Sequence, residues 1–225
     1  MATGETTTID ARPLPRGPHR LTRETVLESQ RGRMLEAIAG AVAEKGYAAT
    51  TVGDVVSAAG VSRKTFYEHF TDKENCFLAA WDTGVQVLFG SIRASRERVG
   101  DPIERMRAGV RAYLATLAAE PAFARSFLIE VVAAGPRAEA RRAEVHARFA
   151  ELLTTLHEQA RCEMPELPKV PPAIPRAAVG AINELVSDYV RAGRTEQLPE
   201  LEDTILHLEL VLFAGHDVAA QATGR

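Results

Sequence analysis

Two cysteines in 225 residues, Cys76 and Cys162, lie far apart, outside any CxxC pair or His/Cys cluster at metal-ligand spacing. This scarcity excludes a disulfide framework and a zinc site and leaves both as small packing residues. Long apolar runs are missing as well. None approaches the roughly 20 residues of a membrane span, and no basic segment followed by an apolar stretch opens the chain. The sequence therefore reads as cytoplasmic, with no membrane partner. There is no glycine-rich phosphate loop, no nucleophile and base at recognisable spacing, and no His/Asp/Glu metal cluster. No catalytic residue, metal or cofactor is expected, and the chain does not read as an enzyme. An excess of positive charge is lacking too, since the net charge is -3. Any affinity for nucleic acid has to come from a local patch and a motif.

What is present is an ordinary globular composition, 46% hydrophobic and 25% charged, in a chain long enough for a small domain plus a larger one. Residues 1–27 carry Pro13, Pro15, Gly17 and Pro18 with almost no apolar periodicity, the composition of a flexible tail. Arg12, Arg16, Arg20 and Arg23 make it basic towards its end, where it has the means to follow a DNA backbone. From Gln30 the apolar residues Met34, Ile38 and Val42 fall near helical spacing, and Gly46 is a suitable stop. Further helices are expected at about 51–59, 62–69, 73–98, 102–119, 122–134, 137–162, 173–192 and 201–219. No stretch reads as strand. Asp72 and Asp101 are placed to cap helices, Pro102 sits at a first helical position, and Gly135-Pro136 separates two helices.

The informative stretch is Thr50 to Glu74. Thr50 or Thr51 caps a short helix whose Val52, Val55, Val56 and Ala59 face one way. Gly60 supplies the positive φ of a tight turn, and Ser62 caps a second short helix. In that second helix Phe66 and Phe70 share a face at i, i+4, which leaves Arg63, Lys64, Tyr67 and Glu68 on the outer side. A helix of this size fits the DNA major groove. There Arg63 or Lys64 has the donors to reach guanine, and Thr65 the hydroxyl and methyl to meet a base. Thr51, Ser62, Tyr67, His69 and Lys73 carry donors at helix starts and edges, positions that suit phosphate oxygens.

The run Ala59-Gly60-Val61-Ser62, Thr65-Phe66-Tyr67-Glu68-His69-Phe70 and Lys73-Glu74 resembles the DNA-binding segment of the TetR family of bacterial regulators. The likeness covers about 45 residues, from Arg31 to Asn75. Gly53 departs from it, because the family often places there a side chain able to touch DNA. The resemblance implies an all-α fold of about nine helices, with a helix-turn-helix DNA-binding domain at 28–75 and a ligand-binding and dimerisation domain at 76–220. It further implies a regulator, by preference a repressor released from a palindromic operator by a small molecule. A DNA-binding regulator without a small-molecule ligand, controlled by a protein partner or acting as an activator, remains the other reading.

Two stripes suit a homodimer built on the last two helices, about 173–192 and 201–219. One is Leu201, Ile205, Leu208, Leu212, Gly215 and Ala219; the other is Val179, Ile182, Val186 and Tyr189. Either stripe also suits the domain's own core. For the ligand, Tyr113, Phe127, His146, Phe149 and Asn183 are polar or aromatic groups on otherwise aliphatic helical faces, the mixture of an apolar cavity with a few directing groups. Few charged residues fall on these faces, so a largely apolar or aromatic ligand is expected.

Overall fold

The computed structural model describes residues 23–97 and 99–224. Among these residues there is helix and no strand. The tail residues Arg12, Arg16 and Arg20, and with them the expected arm contact, lie outside the described residues. The chain divides into two compact units, one up to Asp82 and one from Thr83 onward.

The first unit holds α1 (Arg23–Ala49), α2 (Val52–Ala59), α3 (Arg63–His69) and the start of α4 (Lys73–Arg96). Helix α1 begins at Arg23, earlier than the Gln30 read from the sequence. Gly46 interrupts its end with φ 80° and ψ 159°, a backbone open to a residue without a Cβ. The apolar stripe of α1 closes on the short helices: Met34, Ile38, Val42, Val55, Ala59, Phe66 and Phe70 are all buried. The unit continues past Asn75 into α4 because Cys76, Phe77, Leu78 and Trp81 are buried. The Phe77 ring packs 5.0 Å from that of Tyr47. Asp72 caps α4 through its carboxylate, which accepts from the Asn75 amide at 2.6 Å. Cys76 is the packing residue expected, with its thiol pushed up to about 12 by burial. Cys162, by contrast, is exposed.

In the second unit α5 (Pro102–Ala119) opens as expected, with Asp101 accepting from the Glu104 amide and Pro102 in the first turn. The single helix expected at 122–134 is divided into α6 (Pro121–Arg125), a π-turn (Ser126–Glu130) and a short α7 (Val131–Ala133). The long α8 (Pro136–Glu163) and α9 (Ile174–Arg191) follow. Next come a 3₁₀ segment (Thr195–Leu201), α10 (Glu202–Phe213) and α11 (His216–Thr223). The helix expected across 201–219 is thus two helices, broken where Gly215 takes φ 98°.

That break corrects the stripe drawn through it. Leu206 and Leu210 of α10 form a buried cluster with Ala219 of α11, against Ile103 and Met106 of α5. Leu201 and Ile205 are buried within the unit, as are Val179 and Val186 of α9. Half of the positions assigned to a dimer seam are the unit's own core. What α9 presents outward is Arg176, Ala177, Gly180, Ala181 and Glu184, and α10 exposes Val211.

Candidate DNA-binding surface and ligand cavity

Caps on both short helices build the first site. Thr51 closes a capping box with Asp54: its hydroxyl accepts from the Asp54 amide at 3.2 Å, and its own amide donates to Asp54 Oδ2 at 2.7 Å. The Lys45 ammonium, 2.6 Å from the same carboxylate, holds Asp54 well below the usual carboxylate range together with the Thr51 hydroxyl and amide. Gly60 ends α2 in the left-handed region (φ 63°, ψ 40°). Its Val61 amide reaches back to the Val56 carbonyl at 3.1 Å, which turns the chain sharply into α3. Ser62 caps α3 by accepting from the Thr65 amide at 3.0 Å, and the Ser62 and Thr65 hydroxyls lie 2.9 Å apart.

These contacts determine which side chains are available. Arg63, Lys64, Tyr67 and Glu68 all face outward, Tyr67 with 56% of its surface exposed. Lys64 is nearly free, its ammonium only loosely paired to Glu68 at 3.9 Å. The inner face of α3 belongs to Phe66 and Phe70, whose rings are 5.7 Å apart. At Gly53, beside the α2 start, a Cβ would stand 3.3 Å from the Thr51 hydroxyl and 3.6 Å from the Arg63 guanidinium. Ser62 and Thr65 are exposed and half-buried, with their hydroxyls already engaged in the cap.

Two residues expected to meet phosphate are placed differently. His69 is half-buried with Nε2 enclosed and no hydrogen-bond partner; burial and the nearby Arg31 lower its affinity for a proton. A neutral, enclosed imidazole is a poor phosphate donor. The Lys73 ammonium donates at 2.8 Å to the carbonyls of both Tyr47 and Thr50 and sits 4.2 Å from the Tyr47 ring centre. Burial lowers its pKa as well. Its position makes it first a clamp between α4 and the α1–α2 junction. The two accepting carbonyls belong to the α1–α2 junction, and no local pattern in the sequence pairs them with Lys73.

In the second unit Tyr113, Phe127, His146, Phe149 and Asn183 all line one cavity of about 80 Å³. Four helical elements supply them: α5, the π-turn, α8 and α9. Phe149 stacks on Phe89 at 4.4 Å and meets Tyr113 edge-on at 5.9 Å. Phe127 stacks on Phe123 at 5.3 Å, and Gly84 accommodates that pair because a Cβ there would overlap the Phe123 ring. His146 and Asn183 are hydrogen-bonded to each other, while burial followed by the Arg142 charge lowers the His146 pKa. Burial likewise raises the Tyr113 hydroxyl. Leu152, Leu153, Leu156 and Ile182 complete largely apolar walls.

Sequence reading missed two charged members of this lining, Arg96 and Glu209. Glu209 is only 4% exposed, and burial pushes its carboxyl up to about 8 although the Arg96 charge pulls the other way. Arg96 donates from Nε to the Arg105 carbonyl at 3.3 Å. The available signal was the position of Glu209 between Leu206 and Leu210, four residues after Ile205 on the buried side of α10.

Comparison with known proteins follows the same division. Residues 34–80 match the domain model of bacterial regulatory proteins, tetR family. The chain is 29% identical over 99 residues to the HTH-type transcriptional activator FasR of Mycolicibacterium smegmatis, covering 44% of this chain and 45% of that protein. It is 33% identical over 81 residues to the HTH-type transcriptional repressor KstR2 of Mycobacterium tuberculosis, covering 36% of this chain and 40% of that one. The matched part thus spans less than half the length of these relatives. Among solved structures, the fatty acid degradation regulator FadR from Bacillus halodurans superposes with a TM-score of 0.73 at 21% identity, covering 80% of this chain and 94% of that one. FadR from Bacillus subtilis in complex with stearoyl-CoA gives 0.71 at 16% identity, over 80% and 96%. Residues 34–80 thus match the domain of bacterial regulatory proteins of the tetR family, and the helical fold that continues from them is shared with the two FadR structures.

Proposed function

We propose that the protein is a dimeric, sequence-specific DNA-binding transcription regulator whose operator affinity is controlled by a largely apolar molecule in the cavity of the second unit. The observation that carries the DNA-binding part is the outward array of Arg63, Lys64 and Tyr67 on a helix fixed at its start by Ser62 and at its back by Phe66 and Phe70. A recognition helix held in this way offers guanidinium and ammonium donors to base edges and a phenol to phosphate. Thr51 and Ser62 stand at the two helix starts as further phosphate neighbours.

Dimerisation follows from the geometry of DNA. Two such helices one duplex turn apart read a pseudo-palindrome, and two modest half-site affinities combine. The faces left to a second copy are the outward side of α9 around Ala177, Gly180 and Ala181 and that of α10 around Val211. The ligand reading is supported by five aromatic or polar groups converging on an otherwise aliphatic cavity, and by the stearoyl-CoA held in a protein of the same fold. A ligand that prefers one dimer state shifts operator affinity by its differential affinity, commonly about 1–3 kcal/mol. Release from DNA gives repression relieved by ligand, in keeping with the repressor KstR2. FasR, an activator, favours a second reading in which the same coupling turns a promoter on.

The test is binding of the purified protein to the DNA upstream of its own gene at two salt concentrations, with and without stearoyl-CoA. Arg63→Ala/Lys64→Ala serves as the control. Salt-dependent binding that the double variant loses supports the reading, whereas equal binding by the double variant refutes the role of α3. A transcription assay from the bound promoter separates repression from activation.

A further inference from the structure

We infer, granting that the cavity of the second unit is the ligand site, that Arg96 and Glu209 form a head-group subsite and that the ligand is an apolar molecule ending in a carboxylate. Both side chains line the cavity beside walls that are otherwise nearly all aliphatic or aromatic. Arg96 uses only Nε, donating to the Arg105 carbonyl. Among the described residues its two terminal nitrogens and the Glu209 carboxyl have no hydrogen-bond or ion-pair partner. His146 and Asn183, the other polar pair in the lining, are partnered with each other.

The buried Glu209 carboxyl and the half-buried Arg96 guanidinium at the cavity wall are left without a partner that the chain provides. Burial raises the Glu209 carboxyl to about 8, so at neutral pH it holds a proton it can donate. Arg96 then carries a positive charge with no neighbouring carboxylate in contact, and the nearby Arg105 charge adds repulsion. A carboxylate satisfies both: one oxygen accepts from the Arg96 terminal N–H groups and the other from the Glu209 O–H, both charge-assisted. An ammonium head would face Arg96 across a medium of low dielectric. An alcohol would leave the Arg96 charge uncompensated.

The experiment uses the full chain with the neutral fluorescent probe N-phenyl-1-naphthylamine, displaced in turn by dodecanoate, dodecanol and dodecylammonium. Dodecanoate is expected to compete about tenfold more tightly than dodecanol, with dodecylammonium the weakest. Arg96→Gln is expected to erase the preference for dodecanoate over dodecanol, and displacement of the probe by dodecanol from that variant shows the cavity intact. Glu209→Gln keeps the preference, because an amide N–H replaces the acid O–H. Dodecanol competing as well as dodecanoate overturns the head-group inference and leaves the apolar cavity standing. A preference that survives Arg96→Gln overturns the subsite. Failure of all three to displace the probe overturns the cavity reading along with it.

Discussion

The Lys73 ammonium, at the first residue of α4, donates to the Thr50 carbonyl across the helix-turn-helix at 2.8 Å. The second bond, to Tyr47, makes a three-way tie between the end of α1, the start of α2 and the start of α4. With two donors so occupied, Lys73 holds the motif together, and any effect of it on DNA binding is expected to run through that tie. Lys73→Ala is expected to destabilise the first unit by about 1–2 kcal/mol, the scale of charged hydrogen bonds partly open to water. Measured by thermal unfolding and DNA titration, it should lower the melting temperature while leaving the salt slope unchanged. A slope reduced by one charge in a fully folded variant would assign Lys73 to phosphate instead.

Lys64 and Tyr67 should separate cleanly. Lys64→Ala is expected to change which operator bases are preferred, at about 1–3 kcal/mol for a lost base contact. Tyr67→Ala should weaken all sequences alike. Selection of binding sites from a random pool reads the difference, and unchanged selection by Lys64→Ala would mean that α3 lies in the groove the other way round.

Gly60 needs its left-handed backbone to join the two short helices. Gly60→Ala is expected to cost about 1–2 kcal/mol, since a Cβ is disfavoured there. The space beside it is not the difficulty, the nearest atom being the Arg33 guanidinium at 3.7 Å. Chemical denaturation gives the number, and a change within error would contradict the turn geometry.

Gly84→Ala addresses the second unit by a different mechanism. Its Cβ would overlap the Phe123 ring, which stacks on the cavity residue Phe127. A loss of about 1–3 kcal/mol from overpacking is expected. Gly84→Ala/Phe123→Leu should recover part of it in the same unfolding assay, and a double variant no better than the single one would contradict the clash.

Glu209 predicts a pH dependence of fixed sign. Its folded-state pKa, raised from 4.5 to about 8, means that the folded protein binds a proton more tightly than the unfolded chain. The stability this confers is full below about 4.5 and is lost as pH rises towards about 8. Melting temperatures should therefore fall more steeply across that window in the wild type than in Glu209→Gln. Parallel profiles would show the carboxyl to be ionised in the folded state.

Local signals were enough to place α2 and α3 to within a residue or two, though not the start of α1. Caps such as Thr51, Ser62 and Asp101, the turn glycine Gly60 and the i, i+4 pair Phe66 and Phe70 act over one or two turns of chain, so adjacent residues suffice to specify them. The aromatic and polar residues of the cavity were also legible, because Tyr113, His146, Phe149 and Asn183 interrupt aliphatic faces. Tertiary packing alone decided that Gly215 breaks the last helix, that Leu201, Ile205 and Val186 serve the core, and that Lys73 spends its charge on two carbonyls. It alone also decided that Glu209 is enclosed beside Arg96. A helical stripe records only that a face avoids water; whether a second helix of the same unit or a second copy covers it depends on the three-dimensional path of the chain. For a charged side chain the sequence gives no sign of enclosure at all, since its dielectric surroundings are made by residues far away in the chain.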